Sequence, residues 1–131
     1  MSSRHPVKRS DRLGELIRQE LSQLLLRGEI RDPRTRGAII SAVRVTDDLG
    51  QARVYVRLLG EASDAQKEDL VDALTRASGM LRRTLAPALR VKAVPTLTFF
   101  WDESIDRGLR MEQLLREIAE EEGRGRGEGE T

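Results

Sequence analysis

The sequence predicts an α+β domain in the order helix, strand, strand, kinked helix, strand, helix, and three patterns lead to it. Apolar residues spaced by three and four mark two helices, with Leu13, Leu16, Ile17, Leu21, Leu24 and Leu25 on the first and Leu70, Val71, Leu74, Ala77, Leu81 and Leu85 on the second. Alternation marks strands at Ala52, Val54, Val56 and Leu58 and at Leu97, Phe99 and Trp101. The third pattern is Ala77-Ser78-Gly79 inside the second stripe, where a glycine costs about 1 kcal/mol relative to alanine and predicts an interruption of the helix. A chain of 131 residues holds one core. The stripes bury most simply in one three-stranded sheet with helices on one face, leaving Arg53, Tyr55 and Arg57 on the other.

Taken in order, residues 1–9 lack an apolar face and read as a flexible basic arm. Ser10 is placed to cap the first helix, with Asp11 in its first turn, and Gly28 stops it. The stretch from Glu29 to Gly37, with Asp32-Pro33, is a connecting loop. Two strands, Ala38 to Thr46 and Gln51 to Leu59, join at Asp47-Asp48-Leu49-Gly50 as a hairpin. Ser63 and Gln66 have the spacing of a capping box and open the second helix, which Pro87 limits at its far end. Pro95 starts the third strand, and a helix capped near Ser104 or Asp106 carries Leu109, Leu115, Ile118 and Ala119 on one side. Residues 10–119 are expected to form the domain, and the Gly, Arg and Glu run of 120–131 is too polar to order itself.

Composition narrows the function. Cysteine is absent, which removes disulfides and thiolate chemistry, and the only histidine, His5, lies in the arm. No nucleophile-base pair, phosphate loop or ligand cluster stands out, so no enzyme, cofactor or metal is expected. Asp102, Glu103 and Asp106 sit at a strand end, where carboxylates favour the following helix N-terminus, and Asp47 and Asp48 fit a turn. No apolar run spans a membrane and no secretory segment opens the chain, so a cytoplasmic protein is expected, and separately a monomer. The 23 basic and 22 acidic residues leave a net charge of only +1, but their distribution is uneven, basic up to Arg36 and acidic from Asp102 onward.

The most strongly basic stretch follows the small-residue string. Arg76, Arg82, Arg83, Arg90 and Lys92 form a run without Asp or Glu, and Gly79 between them offers bare backbone. A polyanion is the natural partner. The candidate residues for such a polyanion are Arg76, Ala77, Ser78, Gly79, Arg82, Arg83, Arg90 and Lys92, with Ser78 able to donate its hydroxyl to a phosphate oxygen. The competing explanation is structural, a small-residue kink that lets the helix pass close to the sheet. Replacing Arg82 and Arg83 together by Glu is expected to spare folding, as exposed charges usually do. Among the aromatic residues of the third strand, alternation sends Phe99 and Trp101 inward and leaves only Phe100 to stack on a base.

Several strings go further than topology. Arg12-Leu13-Gly14-Glu15-Leu16-Ile17, Val43-Arg44-Val45-Thr46-Asp47-Asp48-Leu49, Val94-Pro95-Thr96-Leu97-Thr98-Phe99, Asp102-Glu103-Ser104-Ile105-Asp106-Arg107-Gly108 and Met111-Glu112-Gln113-Leu114-Leu115 resemble the bacterial ribosome-binding factor A family. The family's fold is a variant of the type II KH domain, with an Ala-x-Gly break in place of a Gly-x-x-Gly loop, and the resemblance spans about Val7 to Ile118. It implies association with free 30S small ribosomal subunits and their 16S rRNA, help in late assembly and in maturation of the rRNA 5′ end, support of growth in the cold, and release by an assembly GTPase. KH modules hold sugar-phosphate against a helix pair whose glycines admit backbone amides. A tighter break predicts reading of shape and phosphate more than of sequence. The alternative is a structural protein-interaction domain whose arginines are only a solvated face.

Overall fold

The computed structural model describes residues 8–129 of the chain. Helix α1 (Arg9–Leu26) and a 3-10 turn (Pro33–Thr35) lead into strands β1 (Ala38–Val45) and β2 (Gln51–Leu58). Helix α2 (Asp64–Leu89), strand β3 (Thr96–Trp101) and helix α3 (Ser104–Gly129) follow, the order expected. The sheet order is β1-β2-β3, with β1 antiparallel and β3 parallel to β2. No described helix is long and apolar enough to cross a membrane.

Local chemistry sets the element ends. Helix α1 starts one residue before Ser10, with Lys8 at the cap and no side-chain cap bond, while Ser10 is buried. The expected serine cap is therefore displaced: Ser10 lies inside the first turn, against the core side. At the far end Gly28, at φ 69°, donates its N–H to the carbonyl of Leu25 while Glu29 reaches that of Leu24. A glycine reaches this left-handed conformation at no steric cost. Asp48 holds the hairpin turn, accepting from the Thr46 hydroxyl at 2.6 Å and from Gly50 N–H at 2.9 Å. Helix α2 begins with the capping box, Ser63 Oγ accepting from Gln66 N–H at 3.2 Å and Gln66 Oε1 from Ser63 N–H at 2.8 Å.

Two expectations about α2 are corrected. The helix is hydrogen-bonded without interruption through Ala77-Ser78-Gly79, and it continues past Pro87 to Leu89. Burial explains both. Leu70, Leu74, Leu81, Leu85 and Leu89 are all in the core, on both sides of each weak point, and shedding any one of them costs about 2–5 kcal/mol against about 1 for the glycine. Pro87 falls so near the end that its missing N–H removes one of the last bonds, and Arg90, at φ 52°, closes the helix in the left-handed region.

One core joins these elements. Helix α1 contributes Leu13, Ile17, Leu21 and Leu24, which meet Ile40, Val43, Val54, Val56, Leu97 and Phe99 of the sheet and the leucines of α2. Helices α1 and α2 therefore share one face, α1 against β1 and α2 against β3. Trp101 packs at the margin, with the Lys67 ammonium 5.3 Å from its ring centroid. Phe99 is buried and Phe100 exposed, as alternation predicts.

The chain divides into two compact units, 1–101 and 102–131. This places α3 in a unit of its own, where the sequence suggests one domain over 10–119. Asp102 accepts the Ser104 N–H at 2.9 Å and so starts α3, the capping role expected of this carboxylate. The helix extends through residues 120–129, which composition assigns to an unordered tail. Ion pairs four residues apart support that extension, Arg107 with Glu103, Arg116 with Glu112 and Arg124 with Glu120. Ile105, Leu109, Leu115 and Ile118 are exposed along it. Most of the predicted basic arm, residues 1–7, lies outside the described residues.

Candidate nucleic-acid interface

Because α2 is unbroken, helical geometry decides which candidates share a face. Arg76, Gly79 and Arg83 are spaced by three and four, so they form one stripe, turned away from buried Leu74, Leu81 and Leu85. All three are exposed. At about 1.5 Å rise per residue, the two arginines stand about 10 Å apart along the axis with the glycine between them.

Gly79 is informative because the fold does not require it. A Cβ built there would meet only the Arg83 guanidinium, at 3.6 Å, which is ordinary contact. The small-residue explanation, close passage of the helix over the sheet, therefore fails at this position. What remains is a helix interior that gives up about 1 kcal/mol by carrying glycine rather than alanine.

The other candidates separate. Ala77 packs against the core and Ser78 is half-buried. Arg83 makes no ion pair or hydrogen bond among the described residues. Arg82, its neighbour in sequence, points elsewhere: it donates to the Val94 carbonyl at 2.7 Å, and its Nε is buried without a partner among the described residues. Arg82 is thus a tether between α2 and the residues leading into β3. The expectation that Arg82 and Arg83 can be reversed together without harm to folding is corrected accordingly. Replacing Arg82 by Ala should lower stability by about 1.5 kcal/mol, the loss of a charged donor to a half-buried carbonyl. An unchanged urea midpoint would show that the tether contributes nothing.

Arg76 is exposed yet paired, its Nε 3.1 Å from Asp72 Oδ2. The same oxygen takes Arg34 Nη1 at 2.9 Å, and Arg34 also chelates Asp32 of the 3-10 turn. Arg34, ahead of Arg76, holds the Asp72 carboxyl below its ordinary range. A carboxylate depressed in this way contributes stability above its unfolded pKa and loses it as pH falls through the lower folded one, so the clasp survives into mild acid. Exposed ion pairs are worth about 0–1 kcal/mol, so Arg76 can exchange its carboxylate for a phosphate while Arg34 keeps Asp72 satisfied. Sequence reasoning missed this clasp because Arg34 and Asp72 lie far apart in the chain. Arg90 and Lys92 are exposed just beyond the helix end and continue the positive track.

Comparison with known proteins agrees with this architecture. A family model described as ribosome-binding factor A matches residues 9–115. A ribosome-binding factor A of Desulfitobacterium hafniense is 42% identical over 120 residues, covering 92% of this chain and 94% of that protein. One from Sorangium cellulosum is 47% identical over 113 residues, covering 86% and 90%. The crystal structure of ribosome-binding factor A from Thermus thermophilus superposes with a TM-score of 0.59 at 27% identity, covering 70% of this chain and 93% of that one.

Proposed function

Because this chain belongs to the ribosome-binding factor A family, we propose that it associates with free 30S small ribosomal subunits and assists late assembly and maturation of the 16S rRNA 5′ end. It does so without catalysis, by laying the exposed stripe of α2 against ribosomal RNA. The observation that carries this reading is Gly79, a stability cost in the middle of a helix, exposed between two arginines and free of any packing reason. Bare backbone there lets a sugar-phosphate chain approach the helix more closely than any side chain would allow. Arg83 and Arg76 then supply charge-assisted bonds to phosphate oxygens on either side, and Arg90 and Lys92 extend the contact.

Such contacts read shape and charge, which suits a protein that must accept an rRNA segment before it reaches its final fold. The acidic character of 102–131 keeps that end away from RNA or turns it to a basic ribosomal protein. Dissociation from the mature subunit is assigned to an assembly GTPase.

Two results test the reading. The protein should sediment with free small subunits and not with large subunits or complete ribosomes, and each phosphate contact should add about 0.7–0.9 to the slope of log affinity against log salt. Gly79→Ala should raise stability by about 1 kcal/mol, since the helix gains propensity and the new methyl makes only ordinary contact with the Arg83 guanidinium. The same variant should bind small subunits more weakly. Undiminished binding by a stabilised Gly79→Ala protein would remove the glycine from the interface, and absence of sedimentation with any particle would favour a protein-interaction domain.

A further inference from the structure

The face of the sheet opposite α1 and α2 is made of an unusual set of residues. The three strands carry Arg44, Arg53 and Arg57 and not one Asp or Glu. Arg44 stands directly opposite Arg53 in the antiparallel register, and both are exposed. Like charges facing one another across strands destabilise a sheet. None of the three arginines makes an ion pair or side-chain hydrogen bond among the described residues, although Asp11 and Glu15 of α1 line a recess with Arg44 at the β1 edge, beyond ion-pair distance.

Beside them lies an aromatic pair. Tyr55 and Phe100 are partners in the parallel register, with ring centroids 5.7 Å apart and planes inclined by 29°. Phe100, on the edge strand β3, is 41% exposed and is the only exposed aromatic ring among the described residues of the strands. A cross-strand aromatic pair by itself needs no function. Flanked by unpaired guanidinium groups on strands that carry no carboxylate, it matches the two demands of single-stranded nucleic acid, base faces to stack and phosphates to neutralise.

We infer that the open sheet face is a second RNA surface, a stacking platform for an unpaired segment in which Phe100 and Tyr55 take bases while Arg44, Arg53 and Arg57 hold the flanking phosphates. The inference rests on RNA being the partner, but not on which α2 residues touch it. Since α2 packs on the opposite face, the domain would hold two RNA segments at once, a backbone stretch along α2 and unpaired bases on the sheet. A factor gripping from both sides can keep an unpaired strand apart from the neighbouring helix while both mature.

The test uses the full chain and two probes, a fluorescein-labelled hexauridylate followed by anisotropy and free small subunits followed by sedimentation. Phe100→Ala should weaken hexauridylate binding by about 5- to 150-fold, the effect of losing one stacked base. Arg53→Gln combined with Arg57→Gln, which leaves the aromatic pair in place, should lower the salt slope for the hexamer by about 1.4. In an Arg83→Glu background, which removes the contribution of the α2 stripe on the other side of the domain, Phe100→Ala should weaken hexamer binding by the same factor. Equal hexamer affinity in the wild type and both sheet variants would overturn the proposal, as would absence of hexamer binding at low salt by a protein that still sediments with small subunits. Failure of both probes would instead overturn the RNA reading itself, and the platform with it.

Discussion

Arg83→Glu should fold normally and bind free small subunits at least about tenfold more weakly. The folding half follows from exposure. The side chain makes no bond within the described protein, so reversal costs no partner, and exposed substitutions of this kind stay within about 0.5 kcal/mol. The helix dipole adds a small penalty, because a negative charge in the C-terminal half of α2 is unfavourable by about 0.3–1 kcal/mol at most. The binding half follows from position. The Arg83 guanidinium lies beside the Cα of Gly79, where a phosphate approaching the bare backbone would come to rest. A charge-assisted bond is worth about 1.5–3 kcal/mol, a factor of about 10–150, and the glutamate adds repulsion to that loss. The slope of log affinity against log salt should fall by about 0.7–0.9 as one phosphate contact disappears. Thermal melts and sedimentation of the same preparation decide the matter, since wild-type binding by a folded Arg83→Glu protein would place the RNA elsewhere. Arg82→Glu is not an equivalent probe, because it would break the bond to Val94 and confuse folding with binding.

The contrast between these adjacent arginines shows where sequence reasoning stops. The face of α2 that enters the core is readable from spacing alone, and Leu70, Leu74, Leu81 and Leu85 are buried as the stripe predicts. The capping box at Ser63 and Gln66 is readable because its partners are three residues apart. Local rules fail where a tertiary term outweighs them. Small residues at 77–79 and Pro87 weaken a helix by known amounts, but whether it breaks depends on leucines that the core will not release. Arg82 and Arg83 look alike in sequence because the Val94 carbonyl that distinguishes them is brought near only when β3 docks beside α2. The sheet face is half legible. Alternation sends Phe100 outward, but its stack on Tyr55 and the facing of Arg44 by Arg53 depend on strand register, which no single strand contains.

Glycine provides the sharper case, since one substitution made in two helices should change stability in opposite directions. Gly79→Ala gains helix propensity and meets only the end of the Arg83 side chain, at ordinary contact distance. Gly14→Ala gains the same propensity, about 1 kcal/mol, but Gly14 is buried where α1 crosses β1, and a Cβ there would sit 2.8 Å from the carbonyl oxygen of Val43. That oxygen belongs to the strand backbone, at a residue paired with Val54, so it cannot swing away as a side chain would. Relief has to come from lifting α1, which loosens Leu13 and Ile17 in the core. Overpacking of this kind costs about 1–3 kcal/mol, enough to outweigh the gained propensity. Gly14→Leu, with three further carbons and no loss of helix propensity, should prevent α1 from docking and leave the first unit unfolded or molten at ordinary temperature. Circular dichroism melts of the three variants against the wild type give the comparison directly. A Gly14→Ala protein that melts above the wild type would mean that α1 and β1 can separate without cost, and the role assigned to Gly14 would have to be given up.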